Sequence, residues 1–189
     1  MQAINTEAAN TPNLDAITSC LECSIYVASL ADYSAGILHG RWIDCLDDSD
    51  SVQDQIAAML AESPTAREEG RRAEEWAIHD HGGWYGMRIG ESEDIEDLCA
   101  LAAELEEHGE ALAVYLDHVG TRDVSSFEEA YCGTWTSEEA YAEDLADEVM
   151  DIPEHIQAYF DYEKFSRDLF MTDYFSERVA DGVAIFRHI

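Results

Sequence analysis

From Ile89 to Glu163 the chain carries a single Lys or Arg, Arg122. Residues 89–121 hold ten Asp or Glu, and residues 123–163 hold thirteen. Such stretches fold only if the apolar residues recur at a spacing that leaves the acids outside. Ile95, Leu98, Cys99, Ala102 and Leu105 fall on one face of a 3.6-residue period, with Ser92 as the expected cap. Glu91, Glu93, Asp94, Glu96, Asp97, Glu104, Glu106, Glu107 and Glu110 occupy the positions that face leaves free. Gly109 interrupts the pattern, and Leu112, Tyr115, Leu116 and Val119 resume it up to Gly120. Tyr141, Leu145 and Val149 mark a later helix, ringed by Glu138, Glu139, Glu143, Asp144, Asp147 and Glu148, with Asp151 and Glu154 beyond it.

These helices accept an electrostatic cost. Like charges three or four residues apart destabilise a helix by roughly 0.2–0.5 kcal/mol per pair. Solvated helices commonly relieve this with Lys or Arg, and these have none. The helix dipole favours Glu93, Asp94, Glu138 and Glu139 at N-termini but opposes Glu104–Glu107 and Asp147–Glu148 toward C-termini. A cost repeated at so many positions points to a partner that needs an anionic surface.

The flanking segments read as α+β. Residues 1–23 have no clear period and read as a loose extension. Ser24–Leu30 is rich in β-formers, Ala31–Gly36 reads as a link, and Leu38–Asp44 as a second strand of an antiparallel pair. Asp47, Asp48, Asp50 and Asp54 lead into a helix whose inner face is Val52, Ile56, Met59 and Leu60, with Ser63-Pro64 as its stop. Glu75–Asp80 is a third strand. Capping boxes are expected at Ser125/Glu128 and Thr136/Glu139. Pro153 suits a first helical turn, Ile156, Tyr159 and Phe160 share a face, and Tyr162, Phe165 and Leu169 mark a further turn or short helix. Tyr174–Val179 and Val183–Phe186 read as a terminal hairpin turned at Asp181-Gly182.

Composition narrows the function classes. The 189 residues carry 42 acids against 10 bases, a formal charge of −32, with Lys164 the one lysine. No basic footprint exists for gripping phosphates, so direct nucleic-acid binding is not expected. An anionic membrane would repel the chain, and no run approaches the length of a transmembrane span. At 47% hydrophobic and 10% aromatic it can build real cores, unlike a disordered acidic tail. The five cysteines are an odd set, and the start lacks a basic stretch followed by a long apolar run; together these suggest a reducing cytoplasm.

Chemistry-bearing motifs are sparse. His79-Asp-His81, with Glu74 or Glu75, is the best metal candidate, though it also reads as a surface turn before Gly82-Gly83. Asp47–Asp54 resembles a calcium loop but lacks the turn glycine and has Ala58 where the bidentate Glu belongs. Cys20-Leu-Glu-Cys23 is a lone CxxC, half of a structural zinc set. No HExxH, GxSxG, GxGxxG or Walker loop occurs. Gly82–Gly86 reads as a tight loop packed by its own rings. No catalytic residue, metal or cofactor is expected. Tyr131, Trp135, Tyr141, Tyr159, Phe160, Tyr162, Phe165 and Phe170 divide between core and a subunit contact.

Acids one helical turn apart lie about 5–6 Å from each other. Duplex DNA carries about one charge per 1.7 Å of axis, so 42 acids match the charge of about 70 Å of duplex. A prearranged array of this kind suits a long basic groove. The alternative is an acidic scaffold or halophilic protein without such a target, since halophilic chains are also acidic and lysine-poor.

Several segments in order resemble the ArdA antirestriction family. These are Ser24–Gly36, Leu38–Asp44, Glu74–Asp80, Asp151–His155 with Asp161–Glu163, and the closing Gly182–His188. The resemblance implies a non-catalytic mimic of B-form DNA that occupies the DNA groove of Type I restriction-modification complexes. Such proteins are typically carried on mobile genetic elements. It also implies an elongated homodimer of three small domains per chain, joined through the third. That gives an extension at 1–23, an N-terminal α+β domain at 24–82, an acidic helical middle at 83–122, and a C-terminal α+β domain with the dimer contact at 123–189. The family pattern places Glu75–Asp80 near the first boundary or in the second domain, whereas the residue pattern places it in the first. The extension and its CxxC depart from the family.

Overall fold

The computed structural model describes residues 23–150, 152–157 and 159–189. Cys20, the rest of the extension before Cys23, and Asp151 lie outside the described residues. The architecture is α+β, with a sheet toward each end of the chain and a long helix between them.

The N-terminal sheet has the order β2-β1-β3, antiparallel throughout, from Ser24–Ser29 (β1), Gly40–Asp44 (β2) and Trp76–Gly82 (β3). Residues 76–82 therefore belong to the first sheet, as the residue pattern implies. A bulge shifts the β1–β3 register, so Val27 faces Ile78 while Tyr26 faces Asp80, and His79 falls in the irregularity. The expected link after β1 is instead a one-turn helix, Leu30–Ser34 (α1), capped by Ser29. Asp48 caps Ser49–Ala61 (α2), whose Val52, Ile56, Met59 and Leu60 are buried as the spacing predicts. Ser63-Pro64 does not merely stop that helix. Ser63 accepts the Ala66 N–H at 3.1 Å, and Pro64 opens a second short helix, Pro64–Glu68 (α3). Proline suits the first helical position because its missing N–H has no partner there.

A buried carboxylate ties α1 to α3. Asp32 Oδ1 accepts the Thr65 N–H at 2.9 Å, while Asp32 Oδ2 and Thr65 Oγ1 meet no partner. Burial pushes the Asp32 pKa up, but the nearby hydroxyls of Ser63 and Ser29 and the Thr65 N–H outweigh it, holding the carboxyl well below its usual range.

Ile95–Val119 (α4) joins the two sheets. Asp94, not Ser92, is its cap, accepting the N–H groups of Glu96 and Asp97 at 2.8 and 3.3 Å. Gly109 breaks it at φ 63°, ψ −150°, a conformation essentially reserved for glycine. Before the break, Ile95, Leu98, Ala102 and Leu105 join a core with Ile25, Val27 and Ile43 of the first sheet and the inner face of α2. After it, Leu112, Tyr115 and Leu116 are buried, and Tyr115 meets the C-terminal half. There Tyr115 lies 5.6 Å from Phe127 and 5.2 Å from Phe186, ring centroid to centroid.

The second sheet has the antiparallel order β4-β6-β5, from Tyr131–Trp135 (β4), Tyr174–Val179 (β5) and Gly182–Arg187 (β6). The Ser125/Glu128 box is not formed; Ser126 precedes the four-residue helix Phe127–Ala130 (α5) without a side-chain cap. Ser137, rather than Thr136, caps Glu138–Val149 (α6) through the Ala140 N–H at 3.1 Å. Tyr141 is buried there, but Leu145 is half-buried and Val149 exposed, with Ala142 and Ala146 completing the inner face. Glu154–Gln157 (α7) follows, then Tyr162–Thr172 (α8), capped by Asp161 and packed against α6. The closing hairpin turns at Ala180-Asp181, not Asp181-Gly182; Gly182 already pairs with Val179. Its φ of 144° and its proximity to the Trp135 carbonyl, which a Cβ would strike, require glycine.

Candidate protein-binding surface

The helices place the acids as their spacing predicts. Asp47, Asp48, Asp50 and Asp54 at α2 are exposed. Asp48 is spent on its cap, accepting the Ser51 N–H at 3.0 Å, and Asp47 accepts from Gln55 at 3.2 Å. Along α4 and its approach, Glu91, Asp94, Glu96, Asp97, Glu106 and Glu107 are exposed. Along α6, Glu138, Glu139, Glu143, Asp144, Asp147 and Glu148 are exposed, and so is Glu154 on α7.

Three members of the same sets are half-buried and internally engaged. Glu93 accepts the Gly90 N–H at 3.0 Å and faces Arg122 at 3.5 Å. Glu104 lies 3.7 Å from His108, one turn on. Glu110 accepts the Ala180 N–H at 2.7 Å, fastening α4 to the β5–β6 turn. These three hold the fold together as much as they contribute negative charge. Sequence spacing does not distinguish Glu93 and Glu110, because Arg122 and Ala180 lie 29 and 70 residues away. The same spacing rule extends to Asp117 on α4 and to Glu128 and Glu129 on α5, all exposed and not singled out from the sequence.

Cations do little to neutralise these faces. Among the described residues the ion pairs are Arg71–Glu69, Arg122–Glu93 and two that depend on histidine charge, His108–Glu104 and His118–Glu177. No carboxylate of α6 takes part in one.

The other candidate chemistry is dispersed. His79 is exposed and meets Tyr33 edge-on at 4.6 Å, while His81 is half-buried. The described residues hold no group of three or more His, Cys, Asp or Glu placed to take a metal ion. Cys23 is buried, donates to the Gly83 carbonyl at 3.3 Å, and has its pKa pushed up to about 11, chiefly by burial. Cys45 is likewise pushed up to about 12 by burial. Both are protonated thiols at neutral pH, poor nucleophiles and poor ligands. Trp84 is buried in the Gly82–Gly86 loop, its Nε1 donating to Ser24 O at 3.0 Å, so this ring packs inward. No described helix is long and apolar enough to cross a membrane.

The family model for antirestriction protein ArdA matches residues 25–183. The chain belongs to the ArdA antirestriction family. No curated protein matches it. The ArdA match takes in the first sheet from its second residue, every helix from α1 to α8, and β4 and β5 of the second sheet, and ends two residues into β6; all the acidic segments lie inside it. It starts after Cys23, which leaves the CxxC outside the ArdA-like region.

Proposed function

We propose that this chain is a non-catalytic antirestriction protein that mimics B-form DNA and occupies the DNA-binding groove of Type I restriction-modification complexes. The observation that carries the reading is the exposed acidic face of α6, none of whose carboxylates is in an ion pair among the described residues, with a second row of exposed acids along α4, in a chain of this family. Helix-borne carboxylates one turn apart are about 5–6 Å from each other and are held by a packed backbone. A basic groove meeting them gains charge pairing without first ordering its ligand, and long-range attraction speeds the encounter.

The remaining features follow from the same reading. The acting form is a homodimer of three-domain chains, elongated and joined through the C-terminal domain. Exposed apolar side chains in the C-terminal part of the chain support that contact: Tyr159 is 86% exposed, and Val149, Ile156 and Met171 are exposed too. Such residues favour burial against a partner. The protein works in the cytoplasm on behalf of a mobile element, and it needs no cofactor. The direct test adds the purified protein to a Type I restriction enzyme with unmodified target DNA. Cleavage falls as the protein approaches the enzyme in amount, and undiminished cleavage at large excess contradicts the proposal.

Scarcity of lysine supports one competing reading, an acidic scaffold adapted to high salt. That reading requires molar salt for folding and leaves restriction untouched.

A further inference from the structure

The first sheet carries an aromatic face of its own. Antiparallel register sets Tyr26 opposite Trp42 on one side and opposite Asp80 on the other. Asp44 follows Trp42 by two residues and so shares its face. The Tyr26 and Trp42 rings stand 5.6 Å apart, centroid to centroid, tilted by 57°. Gly40 lets the Tyr26 ring lie down on the sheet, since a Cβ there would stand 2.9 Å from its ring and hydroxyl. Trp42 is nevertheless 51% exposed.

We propose that the Tyr26–Trp42 face, bracketed by Asp44 and Asp80, docks an arginine or lysine side chain of the protein that the acidic helices engage. The inference rests on the antirestriction reading for its partner and adds a contact that the charge rows do not supply. An aromatic face is electrostatically negative and attracts a guanidinium or ammonium group, best of all at tryptophan. Asp44 and Asp80 each use Oδ1 on a nearby backbone N–H, those of Leu46 and His81, both at 2.9 Å. Neither is in an ion pair among the described residues. The chemistry of the face selects its occupant. A stacked nucleic-acid base would bring phosphates toward two carboxylates, and a purely apolar partner would desolvate those carboxylates without pairing them. A cation satisfies both the rings and the acids. Asp47 and Asp48, which lead into α2, lie three and four residues beyond the end of β2, so the two surfaces adjoin in sequence.

The test is competition against labelled duplex DNA for a Type I complex, at several salt concentrations, with Trp42→Ala, Trp42→Leu and Trp42→Phe in the full chain. The exposed edge-strand position predicts normal folding, checked by urea unfolding. Trp42→Ala and Trp42→Leu are expected to compete roughly 2- to 30-fold less well. The loss persists across the salt series with little change of slope, because contact pairs are screened less than distant charges. Trp42→Phe retains part of the activity. Leu is the decisive variant: it keeps apolar area and removes the ring, so full activity there overturns the cation reading. Wild-type competition unchanged in Trp42→Ala also overturns it. A change in sedimentation of Trp42→Ala from dimer to monomer makes the face a contact between copies and overturns it too. Failure of the wild type to displace DNA is a separate result, which removes the antirestriction reading and this inference with it.

Discussion

Neutralising the middle of α6 should raise stability and lower inhibition together. The variant replaces Glu143 and Glu148 with Gln and Asp144 and Asp147 with Asn. It leaves Glu138, which accepts from Ser176 at 2.6 Å, and Glu139 in the first turn where the dipole favours an acid. Four like-charge pairs disappear: Glu139–Glu143, Glu143–Asp147 and Asp144–Glu148 at four residues, and Asp144–Asp147 at three. At roughly 0.2–0.5 kcal/mol each, their removal stabilises by about 1–2 kcal/mol. Removing Asp147 and Glu148 from the C-terminal turn contributes about 0.5 kcal/mol more in the same direction at low salt. All four side chains are exposed, and none has a hydrogen-bonding or ion-pair partner among the described residues, so no native contact is lost. Urea unfolding at low ionic strength measures the gain, which shrinks as salt screens the pairs. Competition against duplex DNA for the restriction complex measures the loss, together with a shallower salt dependence. A variant that is stabilised yet competes undiminished would show that α6 is not part of the binding surface. A variant that is destabilised would refute the repulsion argument itself.

Gly109→Ala should cost about 1–3 kcal/mol in urea unfolding, because the strain is in the backbone. A Cβ there meets only the Tyr85 hydroxyl at 3.8 Å, so a cost near zero would mean α4 does not need its break. Asp32→Asn should destabilise by about 1–3 kcal/mol near neutral pH, since it withdraws a charged acceptor from a buried set of donors. The folded Asp32 carboxyl resists protonation more than the unfolded one, so its stabilisation is present above the unfolded carboxylate range and lost as pH falls below about 4. The gap between wild type and Asp32→Asn in unfolding free energy should therefore narrow over that acid window; a gap independent of pH refutes the assignment. Folding should be complete at about 0.1 M salt, where the Debye length is already about 10 Å. A requirement for molar salt, seen by circular dichroism, would favour the halophilic reading.

Periodicity made the helices legible and left their ends less so. The inner faces of α2 and α4 can be read directly, since burying Val52 and Ile56 or Leu98 and Leu105 is a local consequence of helical spacing. Caps were displaced by one or two residues at α4 and α6, where several Ser, Thr and Asp side chains stand close together and tertiary packing chooses among them. The strand β4 has no local signature, because it is five residues long with Gly133 at its centre and is held by pairing with β6, some fifty residues on. The acidic residues were legible as surface. Of the three half-buried exceptions, Glu104 meets His108 one turn on, but Glu93 and Glu110 are bonded to Arg122 and to the Ala180 amide, contacts with no local trace. The Tyr26–Trp42 pair was equally invisible until the strand register joined its two halves.

The central claim concerns a shaped, rigid array of charge, so the most direct measurement compares it with charge alone. Folded dimer and a generic polyanion are titrated separately against labelled duplex DNA bound to a Type I restriction-modification complex, over a series of salt concentrations. The account predicts displacement at near-stoichiometric dimer, weakening with salt and far exceeding the polyanion at equal charge. Displacement no better than the polyanion, or none at large excess across several Type I complexes, would contradict it.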